Sequence, residues 1–207
     1  MPSLPPGGEP WPAPEPGPAT VDTLLAWRDL LDASARALHR PGCTTVTVAP
    51  RSPAGTFPPV EARRLHDGAL ARLRPALSGE AARRTYTTPT GPVTLLLITD
   101  DARRVKLDCL RMEEHDAVGE LTDADVVLPA PLSRTDLGRP PRPCLVCDEP
   151  AKRCVVSRRH PRELVVLAAR RLYARAFTDP PGPPPPTGAR RPHPTPPHHR
   201  DPYRSCA

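Results

Sequence analysis

Aromatic residues are scarce in this 207-residue chain: two Trp, three Tyr and two Phe. So few rings cannot pave a surface on which successive bases stack, so a nucleic-acid partner is not expected. Long apolar runs are missing too. The longest, Leu95-Leu96-Leu97-Ile98, is far short of the roughly 20 residues that cross a bilayer as a helix. The beginning of the chain shows no basic segment followed by an apolar one, the pattern of a secretion signal. These absences predict a soluble, cytoplasmic protein with no membrane partner. In that compartment the six cysteines are expected as thiols or metal ligands rather than as disulfides. There is no internal repeat.

Proline, in contrast, is abundant and uneven. Of 34 prolines, eight fall in residues 1–20 and eleven in residues 178–207. Proline cannot donate to helix or sheet ladders, so residues 1–19 and 178–207 read as extended, disordered tails of polyproline character. The second tail also carries His193, His198 and His199 with Arg190, Arg191 and Arg200, and reads as solvated. One domain is expected between them, with residues 20–140 as its core and residues 141–177 as a cysteine-bearing and helical segment of the same unit. The formal net charge of +6, from 29 basic and 23 acidic residues, favours phosphate-rich or acidic partners.

Hydrophobic periodicity predicts a helix from Val21 to Leu38, with Leu24, Leu25, Trp27, Leu30, Leu31 and Leu38 as its stripe and Pro41-Gly42 ending it. Cys43 to Ala49 alternates and is β-branched, which predicts a strand. Residues 51–57 read as a loop. A second helix is expected from about Pro59 to Leu73, with Val60, Leu65, Ala69, Leu70 and Leu73 inward. Two strands, 83–88 and 93–99, are joined at Pro89-Thr90-Gly91-Pro92, a hairpin turn. Asp100 or Asp101 suits the cap of a third helix ending near Glu114, with Val105, Cys109 and Met112 on one side. Leu132-Ser133-Arg134 reads as a short strand. A last helix spans residues 162–177, bearing Leu164, Val165, Leu167, Ala168 and Leu172.

Between the third helix and the short strand a glycine turn at Gly119 leads into Asp123-Ala124-Asp125-Val126. In a strand, side chains at i and i+2 share a face, so Asp123 and Asp125 project together while Ala124 and Val126 turn inward. Paired carboxylates suit Mg²⁺, especially where substrate phosphates complete its octahedron; two solvated acids at a strand end are the plainer alternative. Lys106 and Arg111 lie on the preceding helix, close enough in the chain for either to reach the acid pair and hold phosphate. Arg28, with Asp29, sits at the centre of the first helix.

The most constrained spacing is Cys144-x2-Cys147-x6-Cys154-x5-His160. A Cys-x-x-Cys knuckle with a third Cys and a nearby His makes a closed, tetrahedral Cys₃His set, the structural type of Zn²⁺ site. A redox Cys-x-x-Cys and unliganded thiols are the alternatives; the first normally opens a helix in a βαβ context that this sequence does not offer.

Taken in order, Arg28-Asp29, the strand end Val46 to Pro50, Lys106-Leu107, Asp123 to Val126, Pro141-Arg142-Pro143-Cys144-Leu145-Val146-Cys147 and Cys154 to His160 resemble the apo-citrate lyase phosphoribosyl-dephospho-CoA transferases. The resemblance covers roughly residues 20–175 and is most specific in the cysteine block. It implies an enzyme that moves the phosphoribosyl-dephospho-CoA group from 2'-(5''-triphosphoribosyl)-3'-dephospho-CoA to a serine of the acyl-carrier (γ) subunit of citrate lyase, releasing diphosphate. It further implies Asp123 and Asp125 as catalytic Mg²⁺ ligands and Lys106, Arg28 and Arg111 as substrate-binding residues. The fold it implies is α+β: a small mixed sheet with packed helices, nucleotidyltransferase-like, plus a zinc-knuckle-like and helical C-terminal segment. Two departures stand out, Glu120 and Thr122, where the family carries Arg and Trp. The Gly-Ser motif that precedes the acid pair in nucleotidyltransferase folds is also missing. A non-catalytic zinc-stapled module that binds an acidic protein, and the carrier-loading enzyme of malonate decarboxylase, are the competing readings.

Overall fold

The computed structural model describes residues 20–177; both proline-rich stretches expected as tails lie outside the described residues. The chain begins with α1 (Val21–Leu38), where the Thr20 hydroxyl accepts a hydrogen bond from the Thr23 amide and so satisfies one of the open N–H groups of the first turn. The helix buries Trp27, Ser34, Ala35 and Leu38 against Tyr86, Leu95 and Leu97. Leu24 and Leu25, expected on its apolar stripe, are exposed, because the buried line begins one turn later at Trp27.

Four strands follow: β1 (Thr44–Pro50), β2 (Glu80–Thr88), β3 (Gly91–Ile98) and β4 (Thr122–Leu128). They form one sheet in the order β2-β3-β1-β4. Every neighbouring pair is antiparallel, which corrects the expectation of a mixed sheet. The reason lies in the crossovers. The helix α2 (Pro59–Leu73) carries the chain from β1 to β2, and α3 (Ala102–Glu113) carries it from β3 to β4. A strand–helix–strand crossover returns the chain in the same direction. Each of these units, however, is split by one strand inserted between its two, β3 in the first and β1 in the second, and neighbours therefore always oppose.

The β2–β3 turn is tight, only Pro89 and Thr90 long, and it demands glycine at the first residue of β3. Gly91 has φ +122°, and a Cβ there would lie 2.9 Å from both the Ala62 Cβ and the Pro50 Cγ. One face of the sheet, through Val46, Val48, Leu96, Ile98, Ala124 and Val126, packs on Ala69, Leu70 and Leu73 of α2 and Val105, Cys109 and Met112 of α3. With α1 on the other face, β3 is buried along its whole length, which explains its uninterrupted apolar run.

Val60, expected to face inward, is exposed in the first turn of α2. The expected glycine turn at Gly119 is a short helix, α4 (Ala117–Glu120), whose cap Asp116 accepts from the Val118 and Gly119 amides. A Cβ on Gly119 would meet the Met112 carbonyl oxygen at 2.0 Å, so a glycine is what lets α4 fold against the end of α3. The short strand expected at residues 132–134 reduces to a single bridge between Leu132 and Val126. The C-terminal segment contains α5 (Ala151–Val156) and α6 (Arg162–Phe177). From α6, Ala169 and Leu172 pack with Phe57, Ala62, Leu65 and Leu121, while Leu164 and Leu167 remain exposed. No helix among the described residues is long and apolar enough to cross a membrane.

Candidate functional site

Strand β4 is an edge strand, and its exposed backbone must be satisfied by something other than a fifth strand. Helix α3 does this at Ala124. The Glu113 Oε1 accepts from the Ala124 N–H at 2.8 Å, and the Lys106 Nζ donates to the Ala124 carbonyl at 2.9 Å. Lys106 and Glu113 are two helical turns apart, so one face of α3 grips both backbone groups of the residue that lies between the two aspartates. Burial alternates along the strand: Thr122, Ala124 and Val126 are buried, Asp123 is half-buried and Asp125 exposed. The acid pair therefore projects together, away from the helices α2 and α3.

Each aspartate has its own cation. Lys106, almost wholly buried, also donates to the Asp125 Oδ1 at 2.8 Å. The Arg142 guanidinium donates to the Asp123 Oδ1 and to the carbonyls of Gly119 (2.9 Å) and Thr122 (2.7 Å). Arg142 thus ties the end of α4 to the start of β4 and fixes Asp123 between them. Both oxygens of Glu113 are engaged, since its Oε2 takes a hydrogen bond from Arg134 at 3.0 Å. Burial raises the Glu113 pKa, although Arg142, the Ala124 amide and Lys106 act against the rise. Glu113 is consequently a brace for β4 and for the arginines.

Two cavities open beside this strand. One, of about 400 Å³, is walled by Pro50, Pro53, Leu145 and Val165, with Asp123, Arg51 and the cysteine segment at its polar side. The other, of about 560 Å³, is charged: Arg51, Arg134, Arg142 and Arg175 share it with Glu113, Glu114, Asp116 and Glu120. Arg51 lines both. It follows the last residue of β1, and its amide donates to the Leu121 carbonyl at 2.7 Å, which sets it at the mouth of β4. Burial lowers the Arg51 pKa, and the neighbouring Arg142 lowers it further.

The cysteine set also converges here. The ligand atoms of Cys144, Cys147, Cys154 and His160 all lie within 4.8 Å of one another. The Cys147 Sγ stands 3.2 Å from the His160 Nε2 and 3.6 Å from the Cys154 Sγ. A tetrahedron with Zn–S bonds of about 2.3 Å has S–S edges of roughly 3.8 Å, so the donor set fits a zinc ion. The knuckle is a narrow hairpin: the Cys144 amide donates to the Glu149 carbonyl at 2.8 Å, and the Ala151 amide to the Arg142 carbonyl at 2.9 Å. Burial acts to raise the Cys144 pKa, but N–H donors from Val146 and Cys147 and its cysteine neighbours outweigh it and lower the pKa, favouring a thiolate.

Of the three basic residues expected to bind substrate, the structure brings one to the acid pair. Lys106 is there, 1% exposed, with its ammonium hydrogen-bonded to the Ala124 carbonyl and the Asp125 carboxylate. Arg111 pairs with Asp108 on its own helix, and Arg28 with its neighbour Asp29 in solvent. The arginines that do reach the site are Arg51, Arg134 and Arg142. Arg142 stands inside the Pro-Arg-Pro-Cys block, where its closeness to Cys144 was a usable signal; Arg51 has none beyond ending a strand.

The chain is 37% identical over 95 residues to a protein of Streptococcus pyogenes serotype M18 called a probable apo-citrate lyase phosphoribosyl-dephospho-CoA transferase, covering 43% of this chain and 50% of that protein. It is 38% identical over 73 residues to the Escherichia coli O7:K1 protein of that name, covering 34% of this chain and 40% of the relative. The chain thus spans half or less of the length of these curated relatives. The profile of the family described as apo-citrate lyase phosphoribosyl-dephospho-CoA transferase matches residues 21–176, a stretch that includes the acid strand, the arginine network and the whole cysteine knuckle, and the chain belongs to that family.

Proposed function

We propose that this protein transfers the phosphoribosyl-dephospho-CoA group from 2'-(5''-triphosphoribosyl)-3'-dephospho-CoA to a serine of the apo acyl-carrier subunit of citrate lyase. The serine hydroxyl attacks the phosphorus next to the ribose, the bond to the outer two phosphates breaks, and diphosphate leaves. The reading rests on one observation above the others: Asp123 and Asp125 belong to a strand gripped from behind by α3, and Asp123 shares the wall of a cavity with Arg51.

The pair fits Mg²⁺. Lys106 and Arg142 occupy only the Oδ1 of each aspartate, and neither Oδ2 has a hydrogen-bond partner among the described residues. Bound there, Mg²⁺ would neutralise charge on the phosphates, the chief requirement of phosphoryl-group chemistry. Lys106 and Glu113 keep Ala124, and with it the spacing of the two carboxylates, fixed before substrate arrives. Arg142 orients Asp123. In this respect the site is nucleotidyltransferase-like in chemistry. Zn²⁺ in the Cys₃His set would hold the knuckle that carries Arg142. An acidic carrier as macromolecular partner fits the net positive charge, and a cytoplasmic location fits such a partner.

The test is intact-mass analysis of the apo carrier incubated with this protein, Mg²⁺ and the triphosphate precursor. Carrier loading should fall by orders of magnitude in Asp123→Asn and in Asp125→Asn while the fold persists, because shape is kept and a charged ligand is lost. A double Asn variant that loads the carrier at the wild-type rate would remove the metal assignment and the mechanism built on it, and a wild type that loads no carrier would hand the chain to the non-catalytic reading.

A further inference from the structure

The two cavities meet at Arg51, and its surroundings are incomplete in a way that no other charged group of the larger cavity shares. Arg134 is matched by Glu113 and Glu114, Arg142 by Asp123 and Glu113, Arg175 by Glu120, and Asp116 by Arg72. The Arg51 guanidinium makes no hydrogen bond and no ion pair among the described residues. Arg142 acts on it as a like charge, and Asp123, Cys144 and Glu120 oppose that effect through space, none of them in a hydrogen bond or ion pair with it. A partly buried cation without a partner, beside a like charge, is costly in the free protein. An oxyanion seated between the two guanidiniums removes that cost and gains charge-assisted, two-pronged hydrogen bonds.

Position narrows the ligand. Ala49 pairs with Asp123 and Pro50 with Thr122 in the β1–β4 register, so Arg51 comes off β1 at the end of β4 where Asp123 emerges. An anion held by Arg51 therefore lies beside Asp123, the member of the acid pair that lines the same cavity. The cavity on its other side is walled largely by proline and aliphatic residues and suits the less polar part of the same molecule. We infer that Arg51, with Arg142, is the seat of a polyphosphate chain, and that Arg51 is the specificity residue that joins a phosphate compartment to an apolar one. This deepens the transferase reading and rests on it only for the identity of the full substrate.

The experiment uses the whole chain with Mg²⁺ and inorganic tripolyphosphate as probe, followed by calorimetric titration and by melting temperature without the probe. Wild type should bind tripolyphosphate, and Arg51→Gln should bind it at least tenfold more weakly. Because Arg51 has no protein partner to lose, the same substitution should leave the melting temperature unchanged or raise it, a result that a structural arginine would not give. Arg51→Lys should recover part of the binding. Wild-type affinity in Arg51→Gln, no binding by the wild type, or a lowered melting temperature in Arg51→Gln would each overturn the inference. Since no carrier or turnover enters the assay, tripolyphosphate binding through Arg51 with no carrier loading would refute the transferase reading alone.

Discussion

The acid pair and the cysteine knuckle both gather side chains of the kinds that can ligate metals, and they are built in opposite ways. Asp123 and Asp125 are neighbours in sequence, but the cations that neutralise them come from elsewhere: Lys106 and Arg142 each lie 19 residues from their aspartate. The knuckle draws its four ligands from residues 144–160, folds them in a local hairpin, and gives them no lysine or arginine in ion-pair contact among the described residues. The first site is thus already balanced without a metal. The second has a thiol held towards its thiolate by backbone N–H donors and its cysteine neighbours, and Arg51 acts on it only through space, without a hydrogen bond. On the proposed reading, the difference teaches that a site for exchangeable metal and substrate stores counter-charges within the protein, whereas a stapling site leaves that task to the ion.

The largest effect expected from this contrast is on stability. Changing Cys147→Ser removes the ligand that touches both Cys154 and His160, and stripping zinc with a strong chelator removes the centre itself. Structural zinc contributes folding free energy directly; a loss of about 3 kcal/mol corresponds to a fall of roughly 10 °C in melting temperature for a chain of this size. Withdrawing Mg²⁺ with a weak chelator should leave the melting temperature almost unmoved. Elemental analysis should find about one zinc per chain, as one Cys₃His set implies. Equal thermal responses to the two withdrawals, or protein isolated without any metal, would erase the comparison.

A smaller effect should come from the balance at the acid pair. Lys106→Met keeps length and apolar stem but deprives both the Ala124 carbonyl and the Asp125 carboxylate of a donor. Removing one partner from a buried polar cluster costs on the order of 1–3 kcal/mol. Carrier loading should also drop, since Asp125 loses its tether. Arg142→Met should cost less stability, because Arg142 is more open to solvent than Lys106, yet should reduce loading as much or more. Urea denaturation alongside carrier loading separates the two quantities; a Lys106→Met protein of wild-type stability would show that the grip of α3 on β4 is incidental.

What the sequence made legible follows the same division between local and distant. Helices 21–38, 59–73 and 162–177 were readable because periodicity and proline or cap signals are local, and the structure places them at those bounds. The cysteine set was readable for the same reason. The antiparallel sheet was not, because each crossover is split by a strand whose insertion leaves no mark in the strand's own residues. The partners of the aspartates were legible only in part: Lys106 and Arg111 both precede the acid strand on a helix, and only packing shows that Lys106 is the one that reaches Asp125, while Arg142 at Asp123 was not expected. Arg51 and Arg142 gained their place from the way the ends of β1 and the knuckle meet at Gly119 and Asp123.

The smallest expected effect belongs to His66, outside both sites, and it supplies a control for pH. Its imidazole is buried, with Nε2 2.8 Å from the Thr94 hydroxyl and Nδ1 3.3 Å from the Asp67 carboxylate. Burial lowers its pKa below the ordinary 6.5, and Asp67 opposes the shift while Arg63 and Arg83 add to it. The folded protein therefore holds the neutral ring to a lower pH than the unfolded chain does. Below about 6.5 the unfolded state binds more protons, so stability rises with pH through this window. The contribution is fully present above the unfolded value and is lost as pH falls toward the folded one. Urea denaturation at pH 7.5 and 6.0 should show a decline for the wild type and a shallower one for His66→Gln, whose amide can still meet Thr94. The knuckle loses zinc to protons in both proteins alike, so the difference between the two slopes isolates His66. Identical slopes would place the whole pH response at the metal-binding residues and leave the buried histidine with no part in it.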